Sequence, residues 1–428
     1  MEKSLDSRIA RGQAIVFGLL WVGYASYYLC RMNFSIAQPL IMEQFGWTEA
    51  QVGMIPSVYS LFYAIGQFTN GQIGSRIGAR LMMGIGLLGI GLVNLGFSVT
   101  TDYTMMLVLW GINGYLQATG WPLVVQTMSN WFRVGRRGTM MAFISTSYQV
   151  GNVLAWIIAG FLVDSWGWEA AFYVPAMWVL PVGVLVLFLM RNQPEDAGLP
   201  HIRDDLGGGS DSSDGKEGGV DEVWTIGRIV RSTLTNKMIW NLALSYFCFN
   251  AVRYTFMNWA PQYFNQFHGV AIKGSAFLSV FFPLIGSLGA ISSGWISDRF
   301  FDSRRAPVCT VFLVILAGMC LAFIPVEAGD VLLATIVLAV AGFVIYGADA
   351  TLTGAAAVDL SHPKAAASAA GFIMAMGNFG SMFVSGAGVG ELLTHFKGDW
   401  TLVFALLSGL SVVAAALAAL LWNKKPKK

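Results

Sequence analysis

Two arginines stand inside stretches otherwise apolar enough to cross a lipid bilayer: Arg31, in GYASYYLCRMNF, and Arg253, in FNAVRYTFMNW. An arginine at the bilayer centre costs about 2.5–3.5 kcal/mol on insertion scales unless it faces a wet cavity or a partner. Two of them point to chemistry at that depth. The planar fork of donors on a guanidinium suits bidentate capture of phosphate or carboxylate. The plainer alternative makes each arginine one half of an internal ion pair. It meets a shortage of partners, because Asp349, in VIYGADATLTG, is the one carboxylate clearly inside an apolar span. Asp349 itself has three open readings: a strut to one arginine, a receptor for a cationic group on a ligand, or a proton-coupling site.

Other polar residues on apolar spans extend the candidate site. Helical spacing puts Tyr24, Tyr28, Arg31, Ser35 and Gln38 on one face of the first span, and Tyr246, Asn250, Arg253 and Met257 on one face of the seventh. Tyr59, Tyr63 and Gln67 follow on the second, Gln117 and Trp121 on the fourth, Tyr148, Gln149 and Asn152 on the fifth, and Asn378, Ser381 and Ser385 on the eleventh. Any one of these could equally be a hydrogen bond between helices. Together they describe a hydrated cavity of sugar or polyol size. No nucleophile, base and orienting group fall in one constellation, so an enzyme is not expected. The absence of GxxxxGK[ST] disfavours ATP-driven transport by this chain. Four cysteines without a CxxC pair, and four scattered histidines, suggest neither a disulfide framework nor a metal site; no cofactor is expected.

These residues must be positioned by membrane helices. Of 428 residues, 55% are apolar and 12% charged, against roughly 25% charged in soluble domains, so lipid is the expected solvent. A net charge of +2 leaves no nucleic-acid footprint. Apolar stretches of about 20 residues lie near 13–38, 50–73, 81–100, 103–130, 138–163 and 169–190, then near 239–264, 274–297, 306–326, 331–357, 365–391 and 400–422. The expected fold is all-α, with twelve transmembrane helices in two six-helix halves, 1–190 and 239–428. The polar, Gly/Ser-rich stretch 191–238 reads as a flexible cytoplasmic linker. The first span is too long for a signal peptide and is read as uncleaved. Of the 26 Lys and Arg, 22 fall on the side of the termini and the linker, 2 (Lys273 and Lys397) on the other, and the rest are the two arginines inside spans. That asymmetry predicts both termini in the cytoplasm.

An internal repeat links the halves. Arg31 precedes Gly71 of GQIGSRIGAR by 40 positions, and Arg253 precedes Gly294 of GWISDRFFDSRR by 41. Parallel duplication of this kind places a binding site near the midplane, between the halves. Arg76, Asp298 and Arg299, in the two turn segments, are expected to act at a gate on the linker side.

Five segments, GYASYYLCRMNF, GYLQATGWPLVVQTMSNWF, RNQPEDAGLP, VRYTFMNWAPQYF and HPKAAASAAGF, are similar to the organophosphate:phosphate antiporter family of the major facilitator superfamily, along nearly the whole chain. The resemblance implies a bacterial inner-membrane transporter, expected to be monomeric, that exchanges an organophosphate or sugar phosphate for inorganic phosphate by alternating access. It implies that Arg31 and Arg253 hold the phosphate, with Tyr24, Tyr27, Tyr28 and Tyr63 around them. There are departures. Met32 stands where the family commonly has lysine, Gln67 aligns with another lysine, Tyr148 with a histidine, and Ser75 with the aspartate of the turn motif. Fewer cations, plus Asp349, bring cargo of lower net charge into contention: a zwitterionic phosphonate, a phosphodiester or a carboxylate. Proton-coupled symport of an organic anion, and a membrane sensor of sugar phosphates, are the alternative functions.

Overall fold

A computed structural model describes residues 2–200, 233–301, 305–354 and 366–422 of the chain, and these are helical with short connections. Twelve spans follow in order. In the first six, α1 is Glu2–Leu29, resuming as Asn33–Phe45; α2 is Glu49–Ile77; α3 is Ala79–Val99; α4 is Tyr103–Gln117 and Gly120–Trp131; α5 is Val134–Trp166; α6 is Ala170–Leu189. In the second six, α7 is Lys237–Gln262 with a π-helical end, Tyr263–Phe267; α8 is Ile272–Ser279 and Phe281–Phe300; α9 is Arg305–Ala322; α10 is Val331–Gly354. Then α11 is Ala366–Gly380, a π-helical stretch Ser381–Gly388 and Val389–His395, and α12 is Trp400–Ala419.

Among the described residues nine stretches are apolar and long enough to cross a membrane on composition alone; α2, α4 and α7 are not among them. Those three are polar because they face protein. Ser57, Ser60 and Asn70 of α2, Asn113 and Gln117 of α4, and Ser245, Asn250 and Gln262 of α7 are all buried. At about 1.5 Å per residue, the 29 residues of α2 and 26 of α7 still exceed a hydrocarbon core of about 30 Å. The outward faces carry large apolar side chains such as Leu92, Phe188 and Ile291. In lipid, helices associate through close contact, and small residues permit it. A Cβ on Gly289 of α8 would lie 1.8 Å from the Phe343 carbonyl oxygen of α10, so that approach requires glycine.

The two groups of six meet along α1, α2 and α5 on one side and α7, α8 and α11 on the other. Twelve passes bring both termini to one end; the opposite end is termed distal. Hydrogen bonds across the seam run from Asn378 Nδ2 to Gln67 Oε1 (2.9 Å), through Ser60 and Ser381 (3.1 Å), to the Ala50 N–H and Thr394 Oγ1 (2.9 Å) at the distal end. Gln38 of α1 also bonds Gln262 of α7. Ser57 Oγ donates to the Met382 carbonyl (2.7 Å) and accepts the Ala387 N–H (2.7 Å), so an α2 hydroxyl sits within the backbone ladder of α11. Glycines let the backbones touch there: a Cβ on Gly53 would meet the Gly386 oxygen at 2.5 Å. The seam is clamped at its distal end.

Two features depart from the sequence reading. The first span is not one helix: it breaks at residues 30–32, directly at Arg31. The polar stretch expected to be a tether from 191 begins with a docked segment. There the Asn192 side chain accepts the Arg80 N–H (2.8 Å), Trp131 Nε1 donates to the Arg191 carbonyl (3.0 Å), and Pro194 and Leu199 are buried. The helical turn Pro194–Ala197 ends on Gly198 at φ 67°, a left-handed position that suits glycine. Apolar anchors and hydrogen-bonded carbonyls hold this segment, whereas composition alone suggested chain entropy would win. The remainder of the tether, 201–232, lies outside the described residues.

Candidate functional site

The break in α1 is built by side chains from its neighbours. The Arg31 N–H joins that of Met32 on the Tyr28 carbonyl (3.1 and 3.0 Å) and the Phe34 N–H turns to Asn33 Oδ1 (3.0 Å), which leaves the Tyr27 and Cys30 carbonyls without their helical partners. Gln117 Nε2 donates to the Tyr27 carbonyl (2.8 Å) and Asn113 Nδ2 to that of Cys30 (2.9 Å), both from α4. Ser35 donates to the Met32 carbonyl (2.8 Å). Beyond the break, Asn33 Nδ2 donates to the Ala171 carbonyl (2.8 Å) and Asn94 Oδ1 (3.1 Å). Leaving such a buried group unpaired costs about 1–3 kcal/mol. These amides make the turn at Arg31 a defined structure.

Arg31 lies among four tyrosine rings: its guanidinium carbon is 5.1 Å from the centre of Tyr63, 5.3 Å from Tyr59, 5.5 Å from Tyr254 and 5.7 Å from Tyr28. Its Nη2 donates to the Tyr254 hydroxyl at 2.6 Å, across the seam. Arg253 is held differently. Its Nη1 pairs with Asp349 Oδ2 at 2.8 Å, and Asp349 Oδ1 accepts from the Tyr246 hydroxyl at 3.2 Å. The guanidinium carbon of Arg253 lies 5.4 Å from the Tyr346 ring and 5.8 Å from that of Tyr254. Tyr254 therefore stands between the two cations. Arg253 Nε, the Tyr59 and Tyr346 hydroxyls, Asn250 Oδ1, Gln149 Oε1 and Asn152 Oδ1 are buried with no hydrogen-bond partner. A small cavity opens beside Arg31, lined by Tyr59, Ser60, Trp110, Tyr254 and Asn258 among others. A second small cavity lies away from both arginines among Phe256, Trp259, Tyr263 and Phe404, and offers little to an anion.

The expected residues divide by placement. Tyr24, Tyr28, Trp121 and Tyr148 form one aromatic wall: Tyr24–Trp121 centres are 5.3 Å apart, and Tyr28–Tyr148 and Trp121–Tyr148 6.3 Å. Tyr63 stacks on Tyr59 at 5.8 Å. Gln67 and Asn378 bond each other across the seam, and Asn250 lies buried one turn from Arg253. Tyr27 turns away, into the first helix group, where its hydroxyl meets Thr119 Oγ1 at 2.8 Å. Gln117 serves backbone and not the cavity. Arg299 is exposed near the end of α8 with no described carboxylate paired to it, while the side chains of Arg76 and Asp298 lie outside the described residues. Sequence reasoning missed Tyr254 and Tyr346. Tyr346 carried a signal, standing three residues before Asp349 on the same helical face. Tyr254 follows Arg253 directly and so falls about 100° from its face, where spacing gives no hint.

A twelve-span helical fold with paired intramembrane arginines agrees with a profile match: residues 20–385 match the Major Facilitator Superfamily, and the chain belongs to it. The glycerol-3-phosphate transporter of Bacillus subtilis (strain 168) is 32% identical, over 99% of this chain and 95% of its own. A probable hexose phosphate transport protein of Chlamydia pneumoniae is 31% identical, over 96% and 91%. Within the superfamily, the relatives place the chain in the organophosphate:phosphate antiporter family. In fold it resembles the crystal structure of a bacterial homologue of the human lysosomal transporter Spinster (TM-score 0.71, 16% identity, 96% of this chain and 95% of that one).

Proposed function

We propose that this protein is a secondary transporter that exchanges a small organophosphate for inorganic phosphate across a bacterial inner membrane by alternating access. The observation that supports it most is the approach of two guanidinium groups, one from α1 and one from α7, to a single tyrosine between the helix groups. In this reading Arg31 and Arg253 hold the phosphate, Tyr254 gives up its hydroxyl contact to the incoming anion, and Tyr24, Tyr28, Tyr63, Trp121, Tyr148, Asn250 and Asn378 surround the organic part. Both termini lie in the cytoplasm, following the distribution of basic residues. The clamped distal seam then makes this the inward-facing state. The carrier acts as a monomer, with residues 1–190 and 239–428 rocking against each other.

Coupling follows from charge. Two guanidinium groups with one carboxylate leave an uncompensated positive charge that resists passage through an occluded, water-poor state. An anion removes that barrier, so loaded carriers reorient and empty ones do not. The anion must bind the occluded state better than the open ones, because equal affinity shifts nothing. The Arg253–Asp349 pair gives Asp349 a place as a fixed strut to an arginine, which fits exchange without a proton-carrying step.

Counterflow in proteoliposomes tests the reading. Labelled phosphate uptake should require internal phosphate or organophosphate; uptake that follows a proton gradient into anion-free vesicles would contradict it. Arg31→Lys and Arg253→Lys should each lower exchange by at least about tenfold while preserving the folded, monodisperse protein, because lysine loses bidentate geometry, worth about 1.4 kcal/mol or more. Wild-type exchange in either variant removes that arginine from the site.

A further inference from the structure

We infer that the organic part of the cargo carries an ammonium group a short carbon chain from phosphorus, and that Asp349 selects it. The inference rests on the organophosphate reading above and narrows it to aminoalkyl phosphates and phosphonates.

The two arginines are not equivalent. Arg31 has no carboxylate partner among the described residues; its neighbours are tyrosines. Arg253 already carries Asp349 at 2.8 Å. Among the described residues, two cations and one anion leave the site with one net positive charge. A dianionic ester would overfill it, and an occluded complex with excess charge is costly in a low-dielectric interior. A phosphate or phosphonate joined to an ammonium group brings one net negative charge and balances it.

Hydrogen-bonding capacity separates an ammonium group from other ways of lowering charge. The Arg253 end of the site offers acceptors: the two Asp349 oxygens and, on the same face of α7, the unpartnered Asn250 Oδ1, with the unpartnered Tyr346 hydroxyl, which can accept or donate, on the helix that carries Asp349. Asn250 stands one turn from both Tyr246 and Arg253. Ionised phosphoryl oxygens only accept and leave Asn250 Oδ1 unsatisfied, and the second ester oxygen of a phosphodiester brings no donor either. An ammonium has three donors and no acceptor. The Tyr346 ring already lies 5.4 Å from the Arg253 guanidinium that Asp349 pairs with, so this end of the site carries an aromatic face, which attracts cations. Phosphorus-bound oxygens take Arg31 and the free side of Arg253; the ammonium takes Asp349.

The test is competition against labelled phosphate self-exchange by the full-length protein in phosphate-loaded proteoliposomes. It uses 2-aminoethylphosphonate and propylphosphonate, which differ by an ammonium in place of a methyl group. The amino compound should inhibit at about tenfold lower concentration, equivalent to about 1.4 kcal/mol. Asp349→Asn should bring the two to parity, and Asp349→Glu should keep the amino preference. Equal or better inhibition by propylphosphonate in the wild type overturns the inference and leaves organophosphate exchange standing. A preference that persists in Asp349→Asn removes Asp349 from selection. Absence of phosphate self-exchange in the wild type overturns both readings. If the asparagine variant does not fold, the wild-type ratio still decides whether the ammonium is recognised.

Discussion

Arg31 and Tyr254 form a close polar contact between the helix groups, 2.6 Å from guanidinium to phenol. A hydrogen bond between membrane helices is worth about 0.6 kcal/mol on average and up to about 1.7. Tyr254→Phe should therefore lower the ligand-free thermal unfolding temperature in detergent, with the loss inside that range; an unchanged midpoint means the contact is idle. Arg31, Arg253 and Asp349 were legible in the sequence because a charge in an apolar run is too costly to be casual. That Asp349 could brace an arginine was legible too, but not which of the two it takes, nor that Tyr254 stands between them. Tyr27 and Tyr28 are adjacent in the chain, yet one packs inward on Thr119 and the other toward Arg31, because neighbours on a helix point about 100° apart.

At the scale of elements, the decisive feature is the interruption in α1. It has no proline or glycine to announce it: Cys30, Arg31 and Met32 form the turn, and the amides that stabilise it sit some 80 residues later in α4. A span count from hydropathy finds α1 but reads straight through the break. The same non-local support explains the docked segment after α6, whose carbonyls are held by Asn130 and Trp131. Asn113→Leu should cost about 1–3 kcal/mol of stability by orphaning the Cys30 carbonyl. It should also weaken phosphate exchange through the displaced Arg31, whereas a stable variant with normal exchange would show that the turn holds itself. Span positions and approximate ends were legible because lipid demands length and apolarity; only the polar α2, α4 and α7 blur that signal.

For the whole molecule, stability and state both lie at the distal end. His268, in the connection between α7 and α8, is buried and its Nδ1 accepts the Gly329 N–H at 3.2 Å. Burial pushes this imidazole below its ordinary 6.5, with Asp330 opposing. The sign follows: above pH 6.5 the folded and unfolded chains are both neutral here, and the full stability is present. As pH falls through 6.5 the unfolded chain binds the proton first, so stability declines until the folded pKa is passed. The unfolding midpoint should drop between pH 7 and 5, and His268→Gln should flatten that part of the curve; an equal drop in the variant assigns it elsewhere. Crowding the seam should move the conformational equilibrium. A Cβ on Gly386 would lie 2.0 Å from Ser57 Oγ, and overpacking of about 1–3 kcal/mol corresponds to a shift of about 5- to 150-fold. Gly386→Val should raise labelling of a cysteine at Ser60 by an impermeant maleimide in a background without the four native cysteines, all of them buried. Labelling no greater than in the parent would mean the seam is not the gate.

The Ser57 hydroxyl gives that seam a further property. Met382 and Ala387, the carbonyl and N–H it bridges, are five residues apart in a π-helical stretch. When α2 withdraws, the two α11 groups are already at the spacing of a π-type hydrogen bond and can close on each other. The seam can thus unzip without leaving these backbone groups unpaired, and the irregular turn of α11 acts as a self-sealing splice that makes separation reversible.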